Sequence, residues 1–98
     1  MKTVDRGAAF LDEREPEWWK KIDVETLSLG SFCNCVLGQL YLAEHPKTRS
    51  SSPYHAKCKE LRISPWSADL GFFTFRSYEN LTTAWRRLIR KRQKASSA

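Results

Sequence analysis

Hydrophobic residues recur at helical spacing along the chain, and the pattern is clearest near the C-terminus. From Tyr78 onward they follow one another at spacings of three, four, three and one residues: Leu81, Trp85, Leu88 and Ile89. These positions fall on one side of an α-helix, which would pack against a core by that side. Ser77 can cap this helix, and Glu79 in the first turn favours the positive end of the helix dipole. The pattern therefore predicts a long amphipathic helix that frays beyond Lys94.

A second helix is predicted around the segment FCNCVLGQLYLAE, with Ser31 as its N-cap and Glu44 near its end. Because this segment is apolar on most sides, we expect it to be the central, buried helix. Gly38 in its middle costs about 1 kcal/mol relative to Ala, which indicates close approach by another element. Upstream, residues 3–13 are weakly helical, and Pro16 fits the first turn of a short helix.

Two stretches interrupt the helical pattern. The stretch PKTRSSSP is basic, serine-rich and without hydrophobic residues, and it predicts a flexible loop over residues 46–57. Further along, Leu61 and Ile63 alternate with polar residues, and the segment LGFFTF is aromatic and β-prone. These two segments allow a short two-stranded β-ribbon within residues 61–75.

Composition is compatible with a single hydrophobic core. The chain is 41% hydrophobic with four Trp, five Phe and three Tyr, and each buried ring removes about 150–250 Å² from water. We therefore expect a mainly α, small single-domain helical fold over residues 1–94, with a disordered tail at residues 95–98. No apolar run approaches the roughly 20 residues that span a bilayer, and the N-terminus does not resemble a signal peptide. These features favour a cytoplasmic protein without a membrane partner.

Charge is divided unevenly along the chain. Residues 1–45 carry five bases and eight acids, a net charge of −3, whereas residues 46–98 carry twelve bases and three acids, a net charge of +9. Six of the twelve bases lie between Arg86 and Lys94. Such a division indicates either a charged partner or a fold that sets its own two halves against each other.

The basic end of the C-terminal helix is a candidate nucleic-acid contact. Its bases are Arg86, Arg87, Arg90, Lys91 and Arg92, and the serine-rich loop adds Lys47 and Arg49. A helix that is packed by one side and carries arginines on the other is a common way to contact phosphate backbones. The alternative is a solvated helix end whose bases favour the negative end of the dipole. The sequence contains no helix-turn-helix, zinc-finger or RNA-binding signature that would support nucleic-acid binding.

The cysteines allow a second alternative, a small zinc-binding interaction module. The candidate ligands are Cys33, Cys35, His55 and Cys58. The spacing is unusual for zinc, because tetrahedral sites commonly use C-x₂₋₄-C and two helical residues at i and i+2 point about 200° apart. The other interpretation is that the cysteines are reduced and behave as small hydrophobic residues, with no cofactor. Their odd number also argues against a secreted disulfide framework.

The leading interpretation is a small non-enzymatic binding protein. Neither His45 nor His55 stands in a recognisable nucleophile–base pattern, and there is no phosphate-binding glycine loop, so we do not expect an enzyme. Exposed Trp beside charged residues is typical of protein-interaction hot spots. The candidate contacts are therefore Trp18, Trp19 and Trp66. The alternative is that these rings cover a small core.

The order GAAFLDE…WW..ID…CVLGQLY…LGF…Y..LT.AW resembles a set of short proteins of actinobacteria and actinobacteriophages that have no established activity. The resemblance extends from Gly7 to about Arg92, apart from the serine-rich loop, and its most specific part is CVLGQL at residues 35–40. It implies a phage or prophage accessory protein, commonly a small binder that redirects a host machine. It supplies no catalytic or binding residues. We therefore expect docking on a host protein in the bacterial cytoplasm.

Overall fold

The computed structural model describes residues 1–47 and 50–96. Within them the chain forms four α-helices and one short 3₁₀ helix, and no strand. The helices are α1 (Lys2–Arg14), α2 (Val36–Glu44), α3 (Pro53–Leu61) and α4 (Tyr78–Ser96), and the 3₁₀ helix is Trp18–Lys21. The prediction of a mainly α fold is therefore confirmed. No helix in the described ranges is long and apolar enough to cross a membrane.

The first and last helices form as the sequence pattern predicts. Val4, Ala8 and Leu11 bury one side of α1, and the side chain of Ser77 accepts a hydrogen bond from the backbone N–H of Asn80 at the start of α4. Gly7 lies where α1 approaches the rest of the fold, because an added Cβ would be 2.0 Å from the carbonyl oxygen of Leu70. These two helices pack against each other through their apolar sides.

The central helix α2 is buried as expected, but it begins four residues later than predicted, at Val36 instead of directly after Ser31. The side chain of Cys35 accepts a hydrogen bond from the backbone N–H of Gly38 and caps the helix in place of Ser31. Gly38 does allow a close approach, since an added Cβ would be 2.1 Å from the carbonyl oxygen of Phe32. The turn before the helix therefore folds directly onto its first residues.

Helix α3 was missed by the sequence analysis, which placed a flexible loop over residues 46–57. The loop ends at Ser52, whose side chain accepts a hydrogen bond from the backbone N–H of His55, and Pro53 starts the helix. The buried residues of α3 do follow helical spacing: Tyr54, Lys57, Cys58 and Leu61. One of them is a lysine, which interrupts the apolar pattern. Residues 48–49 of the predicted loop lie outside the described residues.

The predicted β-ribbon within residues 61–75 is wrong. That segment contains the end of α3 and then a series of turns. Side-chain oxygens of Ser64, Ser67 and Thr74 accept hydrogen bonds from the backbone N–H two residues ahead. Such local bonds occupy the donors that a strand ladder would need. Of the predicted disordered tail, residues 95–96 belong to α4, and residues 97–98 lie outside the described residues.

The core is built around two tryptophans. Trp18 and Trp85 are both fully buried and meet edge to face at 5.9 Å between ring centroids, and Phe72 stacks on Trp85 at 5.4 Å. The indole N–H of Trp85 donates to the carbonyl oxygen of Gly71 at 2.6 Å. This bond fixes the start of the irregular segment 71–77 against helix α4.

Candidate protein-binding surface

A continuous row of aromatic rings lies on the surface between α3 and the segment 71–77. Successive ring centroids lie 5.0, 5.3, 5.7 and 4.8 Å apart along the row Phe32, His55, Trp66, Phe73 and Phe75. Phe32 is 49% exposed, Trp66 61% and Phe75 82%. We call this row the aromatic surface. Large exposed rings in contact with one another are uncommon on a protein surface that binds nothing.

An open cavity of about 200 Å³ lies within the aromatic surface. Six of its lining residues are aromatic: Phe32, Tyr54, Trp66, Phe72, Phe73 and Tyr78. Leu29 and Gly30 complete the lining, so none of the lining residues that the structure describes is charged. We call this cavity the aromatic pocket. Its composition suits an uncharged, apolar group.

The walls of the aromatic pocket are held by contacts to the rest of the fold. Tyr54 projects from α3, and its hydroxyl donates to the carbonyl oxygen of Pro65 at 2.6 Å. The ring of Phe32 stacks on Tyr54 at 5.9 Å. Burial raises the pKa of Tyr54 well above its ordinary value, so the hydroxyl remains a protonated donor. The pocket is therefore preformed.

The three tryptophans predicted as protein contacts occupy different places. Trp18 is completely buried, and its indole N–H donates to Asp12 at 2.9 Å. The prediction that Trp18 contacts a partner is therefore wrong for the folded protein. Trp19 is half-buried against the core and lies beside the ammonium group of Lys20. Trp66 is exposed and lies in the middle of the aromatic surface.

Sequence reasoning did not single out Phe32, Phe73 and Phe75 as protein contacts. Phe32 was assigned to the predicted helix, where it would have been buried, and it is exposed because α2 starts after it. Phe73 and Phe75 belong to the segment LGFFTF, for which the sequence predicts a β-strand. A signal was present for Phe75, since Thr74 and the polar residues Arg76 and Ser77 surround it in the sequence.

The bases of α4 are largely engaged within the fold. The guanidinium of Arg86 donates to the carbonyl oxygens of Val24 and Leu27, at 3.0 Å each. Its neighbours Arg90 and Arg92 form ion pairs with acids of the N-terminal half: Glu25 and Asp12 respectively. The hydrogen bond from Arg92 lowers the pKa of Asp12, more than its partial burial raises it. Ion pairs between the two halves of the chain therefore neutralise part of the uneven charge distribution.

Within the part of the chain that the structure describes, Arg87, Lys91 and Lys47 are predicted nucleic-acid contacts without an ion pair. Arg87 and Lys91 are exposed, and they line a depression between α1 and α4 together with Asp5. Lys47 is also exposed, and Arg49 lies outside the described residues. The candidate nucleic-acid residues therefore do not form one uninterrupted basic surface.

Replacing Arg86 with alanine should destabilise the fold by about 1.5–3 kcal/mol, because the two backbone carbonyls lose a charged donor. The adjacent Arg87→Ala change should stay within about 0.5 kcal/mol, since that side chain is exposed. Urea unfolding of the two variants measures the difference. Equal effects would contradict a structural role for Arg86.

A buried ion cluster joins α3 to α2 and to the end of α1. The ammonium group of Lys57, only 2% of whose side chain is exposed, pairs with Glu44 at 2.7 Å and with Glu15. Burial alone would lower the pKa of Lys57, but the hydrogen bonds that it donates to both carboxylates outweigh burial and raise the pKa. Burial would likewise raise the pKa of Glu44, and Lys57 reverses this so that the pKa is lowered. Lys57 and Glu44 are therefore both charged at neutral pH.

The four candidate zinc ligands have other roles in this structure. Cys35 caps α2, Cys58 is buried in α3, Cys33 is exposed, and the ring Nδ1 of His55 is hydrogen-bonded to the Ser52 hydroxyl. Burial raises the pKa of the Cys35 thiol to about 12, which opposes the thiolate form that a metal requires. Within residues 1–47 and 50–96, no group of three or more His, Cys, Asp or Glu is placed to hold a metal ion. Zinc binding stays a prediction that metal analysis of the purified protein would test.

Comparisons with known proteins give no match: no protein-family model, no curated protein and no solved structure is similar to this chain.

Proposed function

We propose that this chain is a small non-enzymatic binding protein that docks on a host protein through the aromatic surface and modulates it. The observation that carries the proposal is the exposure of Phe32, Trp66 and Phe75 in one connected row of rings. Large aromatic side chains contribute most of the binding energy in many protein interfaces. The resemblance to short proteins of actinobacteria and their phages supports a phage or prophage accessory protein that acts in the host cytoplasm.

A binding role also agrees with the chemistry of the aromatic pocket. No carboxylate, histidine, cysteine or lysine lines it, and the hydroxyl of Tyr54 is committed to the carbonyl of Pro65. The contact between Ser52 and His55 belongs to the cap of α3, where the serine side chain also accepts from the backbone N–H of His55. These hydrogen bonds hold the surface in place, which supports a binding role.

Nucleic-acid binding through α4 is the alternative proposal, and Arg87 and Lys91 are the bases that remain for it. Duplex binding would weaken with salt at a log–log slope of about −0.9 for each phosphate neutralised. A partner that is retained after nuclease treatment and depends weakly on salt supports the protein-docking proposal instead.

The Phe75→Ala change should weaken retention of the host partner by more than about tenfold, because truncating a hot-spot aromatic commonly costs 2 kcal/mol or more. The measurement is capture from a nuclease-treated lysate of an actinobacterial host, with wild-type and variant chains compared at equal loading. The Arg87→Ala variant is the matched control, since it removes an exposed side chain from a different surface.

The Phe75→Ala variant is not expected to lose stability, because the side chain of Phe75 is 82% exposed. A host protein retained by the wild type and by Arg87→Ala, and lost with Phe75→Ala, is the expected result. Retention that is equal for all three chains, or absent for the wild type, would contradict docking through the aromatic surface.

A further inference from the structure

We propose that the aromatic surface recognises a short acidic segment of its partner, in which one large apolar side chain is flanked by carboxylates. The apolar side chain would fill the aromatic pocket, and the carboxylates would face the cations beside it. This inference rests on the proposed docking function and adds the chemistry of the partner.

The size and lining of the aromatic pocket determine the apolar anchor. The cavity of about 200 Å³ has six aromatic residues in its lining. An apolar cavity of about 150 Å³ is known to hold a benzene molecule, so a phenylalanine or leucine side chain fits here. A charged group entering the pocket would find no counter-charge among the lining residues and would be desolvated at high cost.

The charges around the aromatic surface determine the flanks of the segment. In residues 50–78, Lys57 pairs with two carboxylates of the fold, and the carboxylate of Glu60 is hydrogen-bonded to the ring of His45. The other four charged side chains of that stretch form no ion pair in the described structure; they are the cations Lys59, Arg62 and Arg76 and the acid Asp69. Counted with Glu60, three cations and two acids surround the aromatic surface. The surroundings are therefore positive overall, and they favour an acidic partner.

Two of these cations can be placed beside the row of rings. Arg76 follows Phe75 and lines a depression whose wall includes Phe73, a residue that also lines the aromatic pocket. Lys59 stands four residues after His55 on α3, which puts both on one side of that helix. A bound segment that leaves the pocket past Phe73 would enter the depression lined by Arg76. The nearby acid Glu79 shares a separate depression with Arg86.

The same charges argue against a cationic occupant. Aromatic walls attract quaternary ammonium groups and arginine through their ring faces. Here the pocket lining contains no carboxylate, and Arg76 lies beside it, so a cation would be repelled. An apolar anchor matches the aromatic walls of the pocket, and acidic flanks match the cations beside it.

Selection from a phage-displayed library of random short peptides against the full folded chain tests the inference. Enriched peptides should carry one Phe or Leu with Asp or Glu close to it in sequence. A fluorescently labelled copy of the consensus peptide then gives affinities by anisotropy. The Trp66→Ala change should weaken binding of this peptide by more than about tenfold.

A charge-reversal variant tests the contribution of the acidic flanks separately from that of the apolar anchor. The Arg76→Glu variant should bind the acidic peptide more weakly and should improve binding of a copy whose flanking acids are replaced by lysine. The Arg87→Glu variant carries the same change in net charge on a different surface, and it should bind both peptides as the wild type does.

Enriched peptides with neutral or basic flanks, or an Arg76→Glu variant with unchanged preference, would overturn the acidic-segment inference and leave the docking function standing. Absence of any enriched peptide would overturn recognition of a short segment, while the lysate capture with Phe75→Ala decides docking separately. Peptides that bind the Trp66→Ala variant as tightly as the wild type would count against both the acidic-segment inference and docking through the aromatic surface.

Discussion

Replacing Lys57 with alanine should lower the free energy of unfolding by about 3–5 kcal/mol, the usual cost of removing one member of a buried ion cluster. Glu15 and Glu44 would then face each other without the cation between them, and Glu15 Oε2 is already buried without a hydrogen-bond partner in the described structure. Urea unfolding followed by tryptophan fluorescence measures the change. The Lys20→Ala control breaks an exposed pair with Glu17 and should cost less than about 1 kcal/mol.

The contribution of the cluster also depends on pH in a defined direction. The pKa of Glu44 is lowered from 4.5, so its contribution is present above that value and is lost as pH falls through the folded-state pKa. The pKa of Lys57 is raised from 10.5, so its contribution is present below that value and is lost as pH rises through the folded-state pKa. The stability difference between wild type and Lys57→Ala should be largest between these limits. A difference that does not change with pH would contradict the charged cluster.

The Trp85→Ala change should cost about 3–5 kcal/mol, as expected for truncating a fully buried aromatic side chain. The ring packs on Trp18 and Phe72, and its indole N–H holds the carbonyl of Gly71. Thermal unfolding monitored by circular dichroism measures the loss. A cost below about 1 kcal/mol would show that the ring is not the centre of the core.

The more conservative Trp85→Phe change tests how the core supports the aromatic surface. It keeps an aromatic ring but removes the donor to Gly71, which should cost about 1–3 kcal/mol. Because segment 71–77 carries Phe73 and Phe75, binding of the captured partner should weaken as well. The Trp18→Phe control removes a similar donor, to Asp12, that does not hold this segment, and partner binding should be retained.

The sequence was sufficient for those parts of the fold where local signals and packing agree. The apolar stripe and the Ser77 cap of α4 are both present in the structure, as is the buried central helix with its close approach at Gly38. Helix α3 was missed because its buried Lys57 pairs with carboxylates that are distant in sequence. A stretch with a polar sequence can thus form a packed helix when carboxylates from other parts of the chain neutralise its buried charge.

The candidate site was less predictable than the fold. Adjacent tryptophans at 18 and 19 do not reveal which ring is buried, and the structure shows Trp18 in the core. The late start of α2 exposes Phe32, and the turns of segment 62–77 bring Trp66 next to Phe73. Contacts between rings from separate segments depend on the tertiary fold, and local periodicity carries no information about them.

Photo-crosslinking tests docking through the aromatic surface most directly. A photo-reactive phenylalanine analogue replaces Phe75 in one full-length chain and Arg87 in another, and each chain is irradiated in nuclease-treated host lysate. Both positions are exposed, and they lie on different surfaces. The proposed function predicts a discrete adduct with one host protein from position 75 and none from position 87. Adducts from position 87 alone, or none from position 75, would contradict it.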